Sequence, residues 1–368
     1  MVRSIDGRVA AAEVEQRARA RLLLVGDFSA SKLGNASVAE ELARRLAREG
    51  DLVTTTSAQT RRLLRVADML LTSFLARDRV DVAVIDVYSG AAFRWAEWVS
   101  AIVRGAGVPT VHVLRGGNLP SFARENPARV GRLLRSSNAV VALSGYLYEQ
   151  MSPYGEIAET IPNPIDIGRY EYRLRRTAAP RLAWLRSFHA LYNPTLAPRM
   201  LAALGESIAP LRPQLVMMGA DKGDGSLQAV RETAKRLGVE DLLSLPGPVQ
   251  KSAVPGRLAE ADVFINTTDV DNVPISVIEA LASGMCVVST DVGGIPYLLR
   301  DGVDALLVPR DDPAAMAAAV TRVVTEPELA ERLSRNARAK AETFDWSHVL
   351  PSWRKLIAKV ASRRGGTA

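Results

Sequence analysis

Short apolar runs rich in β-branched residues alternate with longer segments of helical period along this chain, a pattern that calls for parallel sheets wrapped by helices. In the first half the strand candidates are RLLLVGDF (21–28), DLVTTTS (51–57), VDVAVIDV (80–87), PTVHVL (109–114) and NAVVALS (138–144). In VAEELARRLAREG (38–50), between the first two, Val38, Leu42, Leu46 and Ala47 mark an apolar stripe, and Gly50 is the expected C-cap. The second half repeats the layout with RLAWL (181–185), QLVMMG (214–219), LLSLPG (242–247), DVFINTT (262–268), MCVVST (285–290) and DALLVP (304–309).

Two α/β domains follow from this, and 368 residues suffice for two cores. The segment IPNPIDIGRYEYRLRRTAAPR separates them, and its Pro162, Pro164 and Pro180 mark a hinge. The expected division is a tail at 1–20, Rossmann-like domains at 21–165 and 166–344, and a crossover helix and tail at 345–368. The final helix, DWSHVLPSWRKLIAKV, is expected to be interrupted at Pro351. Two doubly wound domains facing across a cleft bind ligands at the carboxyl ends of their strands.

Composition narrows the function classes. No apolar run approaches the roughly 18 residues of a membrane span, and the first twenty residues lack the apolar core of a secretory signal. The single cysteine, Cys286, lies in an apolar run and reads as a buried hydrophobe, consistent with a cytoplasmic setting. The net charge of +7 gathers in RENPARVGRLLR, RYEYRLRR and WRKLIAKVASRR and favours anionic partners. With 5% aromatic residues and no base-stacking pattern, nucleic acid is not the expected one; phosphorylated small molecules or an anionic membrane surface fit better.

The most informative stretch is DNVPISVIEALASG (271–284). Asp271 falls in the loop after strand DVFINTT, and Glu279 about a turn and a half into the helix that begins near Pro274. Two carboxylates so placed can accept hydrogen bonds from vicinal hydroxyls. The competing reading makes Asp271 a helix cap and Glu279 a solvated charge. The apolar neighbours of Glu279, among them Ile278, Ala280 and Leu281, argue that it has a partner.

The stretch TDVDNVPISVIEALASGMCVVSTDVGGIPYLLRDGVDALLVPRDD resembles the donor-binding core of family 4 glycosyltransferases of the GT-B fold, with two acids separated by seven residues and then a Gly-Gly turn at Gly293 and Gly294. The resemblance covers roughly residues 20–360 and is strongest from 262 to 310. It implies a retaining, metal-independent glycosyltransferase that needs no cofactor and moves a sugar from a nucleotide diphosphate sugar to an acceptor hydroxyl. Glu279 would bind the ribose, and Asp271 with Asn272, Val273 and Pro274 the donor sugar. The first acid is usually Glu in that family; Asp271 is shorter by one carbon bond of about 1.5 Å.

Other positions follow from the same resemblance. Arg186, directly after strand RLAWL, matches an arginine that clamps the diphosphate, while Leu191 stands where a lysine is expected. Lys222 or His189 is left to supply that charge, and Gly219, closing QLVMMG, joins the donor-binding set. His112 is placed to donate to a donor-sugar hydroxyl, and Gly34 and Asn35 in a loop near the diphosphate. Gly116, Gly117 and Asn118 offer an amide-lined turn near the acceptor. Asp-Val-Asp at 269–271 overlaps the acid pair and is not read as a metal motif. A C-terminal helix crossing back to the N-domain is also implied, and basic segments that dock the enzyme peripherally on an anionic inner membrane suit a role in cell-surface polysaccharide, glycolipid or glycoconjugate synthesis. An epimerase or phosphorylase on the same fold, or an inactive nucleotide-sugar-binding homologue, is the alternative.

Overall fold

The computed structural model describes residues 19–26, 28, 37–205 and 208–363. Gly34, Asn35 and nearly all of the expected N-terminal tail lie outside them. The strands are β1 (Arg21–Val25), β2 (Leu52–Thr56), β3 (Val82–Val87), β4 (Thr110–Leu114), β5 (Ala139–Ala142) and β6 (Glu159–Thr160), then β7 (Arg181–Leu185), β8 (Gln214–Met218), β9 (Leu243–Gly247), β10 (Val263–Asn266), β11 (Cys286–Thr290) and β12 (Leu306–Val308). They form two six-stranded parallel sheets, ordered β2-β1-β3-β4-β5-β6 and β12-β11-β10-β7-β8-β9. Only β6 has no counterpart in the sequence pattern, because two residues are too few to show a period.

The chain divides into two compact units. One holds the described residues up to Asp86, Arg94–His112 and those from Lys355 on; the other holds Val87–Phe93 and Val113–Arg354. In the first unit the helix Val38–Arg48 opens on a capping box between Ser37 and Glu40. Its buried stripe is Ala39, Leu42, Ala43 and Leu46, one position off the expected stripe at its edges, with Val38 half-buried and Ala47 exposed.

The second sheet is covered on both faces. Leu182, Trp184, Val263, Ile265, Cys286 and Val288 enter one apolar cluster, while Ala183, Phe264 and Val287 enter another. Alternate residues of a strand point to opposite faces, so strands buried on both sides must be apolar throughout. The last helix, Trp346–Ala361, runs through Pro351 without a break. The expected interruption is absent because a proline near a helix start sacrifices one backbone hydrogen bond while packing by Val349, Leu350 and Trp353 holds the turns on either side.

Candidate functional site

In the second sheet β7 has β8 on one side and β10 on the other, so strand order reverses there. Loops leaving the carboxyl ends of strands beside such a reversal diverge, and the gap between them is where a ligand fits. The chain leaves β7 into Arg186 and leaves β10 into the loop that carries Asp271. Backbone crowding fixes the first of these: a Cβ at Gly219 would lie 1.6 Å from the Arg186 carbonyl oxygen, and the Arg186 N–H donates to Met218 O at 3.0 Å. Gly219, directly after β8, is therefore the close-approach residue that lets the chain leaving β8 pass the one leaving β7.

Arg186 and Asp271 form an ion pair through Nη2 and Oδ2. The guanidinium also lies 4.1 Å from the centroid of the Tyr192 ring, an attractive cation-π arrangement. Its buried Nε has no hydrogen-bond partner among the described residues. Burial pushes the Asp271 carboxyl above its ordinary range, with Arg186 and the Asn272 N–H offsetting part of that rise. Asp271 does not cap the helix Ile275–Ala282, whose N-cap is Pro274 and which has no side-chain cap. The expected first helical residue is thus one position later, because the ψ of 119° at Pro274 is extended.

The acid loop is held from several directions. Asp271 Oδ1 accepts from the Asn272 N–H at 2.8 Å, which commits the Asn272 amide to that carboxylate, and the Asn272 Oδ1 accepts from the Ser144 hydroxyl. A Cβ at Gly294 would sit 2.0 Å from Asn272 O, one at Gly293 2.3 Å from Asp271 O, and one at Gly117 3.3 Å from the Asp271 carbonyl carbon. The Gly-Gly turn and Gly117 thus let three backbones meet at Asp271. Val273 and Pro274 are buried, with Val273 in the apolar cluster under the helix.

Glu279 is 4% exposed, on a helix whose residues from Ser276 to Ala282 are all buried, so it is not a solvated surface charge. Its Oε1 accepts from the Tyr170 hydroxyl at 2.7 Å and lies 3.6 Å from Lys251 Nζ. Tyr170, from the proline-rich linker, holds its proton more tightly than a free tyrosine because of burial and then the Glu279 charge. Sequence reasoning missed both partners: Tyr170 lies inside RYEYRLRR, a stretch read only for charge, and Lys251 inside an unremarked loop.

The remaining predicted residues have contacts of their own. His189 accepts the Leu191 N–H on Nδ1 at 3.1 Å, and its Nε2 lies 3.9 Å from Asp224. Asp224 is pulled down to about 2, chiefly by the Ala190 N–H. Lys222 is exposed, and its backbone N–H donates to Phe188 O at 3.2 Å. Leu191 is half-exposed at the position expected for lysine. Gly116 has a φ of +87°, a conformation that favours glycine, and Asn118 precedes the helix Leu119–Glu125 without a side-chain cap. In the other unit His112 is fully buried, with Nε2 2.8 Å from Ser100 Oγ and Nδ1 without a partner among the described residues. Burial, then Arg104, lowers it to about 3, so it is neutral near pH 7.

Known proteins resemble this chain in sequence over part of its length and in fold over most of it. The family model described as Glycosyl transferases group 1 matches residues 196–326, a span that contains Asp271 and Glu279. The chain is 30% identical over 211 residues to D-inositol 3-phosphate glycosyltransferase of Streptomyces griseus, which covers 55% of this chain and 44% of that protein. It is 26% identical over 268 residues to the protein of that name in Streptomyces scabiei, covering 65% and 60%. The chain thus spans about half the length of the curated relatives it matches. Among solved structures it resembles sucrose-phosphate synthase from Thermosynechococcus elongatus, with a TM-score of 0.78 at 14% identity over 94% of this chain and 100% of that one. It also resembles Anabaena HepE in complex with UDP and glucose, with a TM-score of 0.73 at 15% identity over 93% and 100%. At such identities these likenesses show the fold, which is GT-B.

Proposed function

We propose, from the match of residues 196–326 to the Glycosyl transferases group 1 family model, that the chain moves a sugar from a nucleotide diphosphate sugar to an acceptor hydroxyl, with retention and without a metal. The observation that carries this reading is the junction beside β7, where a cation and an acid from two diverging loops meet. As the bond between the anomeric carbon and the diphosphate breaks, negative charge grows on the departing oxygen, and a fixed cation stabilises it. Arg186 supplies that cation. Glu279 accepts from the ribose, and Asp271 with the loop through Pro274 sets the sugar end. Residues 21–165 serve the acceptor, including the turn at Gly116 to Asn118, and 166–344 the donor. His112 belongs in this scheme as a residue that shapes its domain. The basic segments favour an anionic membrane surface and a role in cell-surface glycan or glycolipid synthesis.

A second reading, a binding protein without turnover, draws support from Leu191 at the lysine position and from the engagement of Arg186 by Asp271. The two readings separate in one assay, with UDP-glucose, the ligand of a solved HepE complex, as the first donor of a panel. Nucleotide release that requires an acceptor, persists with chelator and gives a product of unchanged anomeric configuration supports transfer. Binding without release for every donor and acceptor supports the second reading.

A further inference from the structure

The charges of the proposed donor site come in matched pairs. Arg186 pairs with Asp271, and Lys251 Nζ lies 3.6 Å from Glu279 Oε1, so these four groups together carry no net charge. Leu191 stands at the position expected for a lysine. A diphosphate added to these groups arrives as uncompensated negative charge, which is costly away from water.

A further cation lies beside the acid loop. The Arg115 N–H donates to Val87 O at 2.9 Å, so Arg115 is the first residue beyond the carboxyl end of β4, the end of a parallel sheet at which ligands bind. β5 and β6 follow β4 in sheet order, and their chains leave into Ser144 and on to Asn163. The half-buried Arg115 side chain donates from Nη1 to Asn163 Oδ1 at 3.5 Å. Because β5 lies between β4 and β6, that contact passes over the end of β5, where the Ser144 hydroxyl donates to Asn272 Oδ1. Just along the chain from Arg115, a Cβ at Gly117 would stand 3.4 Å from Asn272 N. Arg115 is thus bracketed by two contacts to Asn272, the residue that follows Asp271. All of these residues fall in one compact unit. The contact at Nη1 is to a neutral amide, and a guanidinium presents several N–H donors in a planar fork that matches phosphate oxygens.

We propose that Arg115 is the second cation for the diphosphate of the donor, holding its β-phosphate from the carboxyl ends of β4 to β6 while Arg186 holds it from the end of β7. This rests on the donor reading above and divides the phosphate contacts between the two sheets. A residue that binds the β-phosphate distinguishes a nucleoside diphosphate from its monophosphate, whereas a tie between β4 and the linker does not.

The test is titration calorimetry of the full chain, wild type and Arg115→Met, with UDP, GDP and ADP, each beside its monophosphate. Wild type is expected to prefer at least one diphosphate over its monophosphate by about tenfold or more, and Arg115→Met to lose most of that preference while binding the monophosphate nearly as wild type does. Arg115→Lys, which keeps the charge, is expected to recover part of the preference. Should Arg115→Met not fold, Arg115→Gln, which keeps a donor for Asn163 without the charge, takes its place. A wild type that binds none of these nucleotides overturns the donor reading and this assignment together. A wild type that binds them while Arg115→Met keeps the full preference, or weakens diphosphate and monophosphate alike, overturns the assignment alone, as does an Arg115→Lys variant no better than Arg115→Met.

Discussion

Arg186 and Asp271 are partners across the strand-order reversal of the second sheet, so the cation following β7 and the acid following β10 fix each other's position. Removing one leaves the other poorly compensated. Arg186→Ala is expected to cost on the order of 2 kcal/mol of stability, below the range for fully buried pairs because Arg186 keeps some solvent contact. Burial raises the Asp271 carboxyl pKa, so the folded chain holds a proton that the unfolded chain has released. Ionisation therefore costs stability above the folded pKa, and the cost fades as pH falls toward the ordinary value of 3.8. Melting curves should show the deficit of Arg186→Ala narrowing as pH is lowered toward that value.

Gly294→Ala tests the backbone junction. Its Cβ would stand 2.0 Å from Asn272 O, and only a shift of the acid loop relieves that. Overpacking of this kind costs about 1–3 kcal/mol. Transfer activity is expected to drop by about a hundredfold, since a misplacement near 1 Å has that effect. Kinetics beside a melting curve check this; normal activity at normal stability would show that the loop's position does not matter.

Tyr170 and Lys251 act through Glu279. Tyr170→Phe and Lys251→Met each remove one of the two groups that hold Glu279 Oε1, and each is expected to weaken nucleotide binding by about tenfold. A positioning role also predicts a lower preference for a ribonucleotide over its 2′-deoxy form. Titration calorimetry of both nucleotides on both variants measures this, and an unchanged preference would make the two residues merely structural.

Much of this was legible in the sequence, for stated reasons. Eleven of the strands are visible as short apolar or β-branched runs, most of them because a strand buried on both faces must be apolar throughout, whereas β2 and β9 at the sheet edges are largely exposed. Asp271 and Glu279 stood out because a carboxylate among core formers needs a partner. The partners themselves were hidden: Tyr170 meets Glu279 across a sequence separation of 109 residues, and no local pattern encodes a contact made by the return of a linker. The engagement of Arg186 by Asp271 was equally invisible, since each residue was assigned to a ligand. The helix through Pro351 shows packing overriding local propensity.

His112 sets an acid limit on the first unit. Its ordinary pKa of 6.5 falls to about 3 on folding, so the unfolded chain takes up a proton that the folded chain refuses. Its contribution to stability is complete above pH 6.5 and is lost as pH falls from there toward about 3, at up to about 1.4 kcal/mol per pH unit. His112→Gln should flatten the fall in melting temperature between pH 6.5 and 4, and a parallel curve would contradict the assignment.

The central claim is that the reversal beside β7 binds a nucleotide diphosphate sugar, with Glu279 on the ribose. The direct measurement is the melting temperature of wild type and Glu279→Ala against a panel of nucleoside diphosphates and nucleotide sugars. A ligand at 100 times its dissociation constant adds about 2.7 kcal/mol. At least one member, with UDP and UDP-glucose tried first, is expected to raise the wild-type melting temperature and leave that of Glu279→Ala nearly unmoved. A wild type that no nucleotide stabilises, or a Glu279→Ala variant stabilised as fully as wild type, would contradict it.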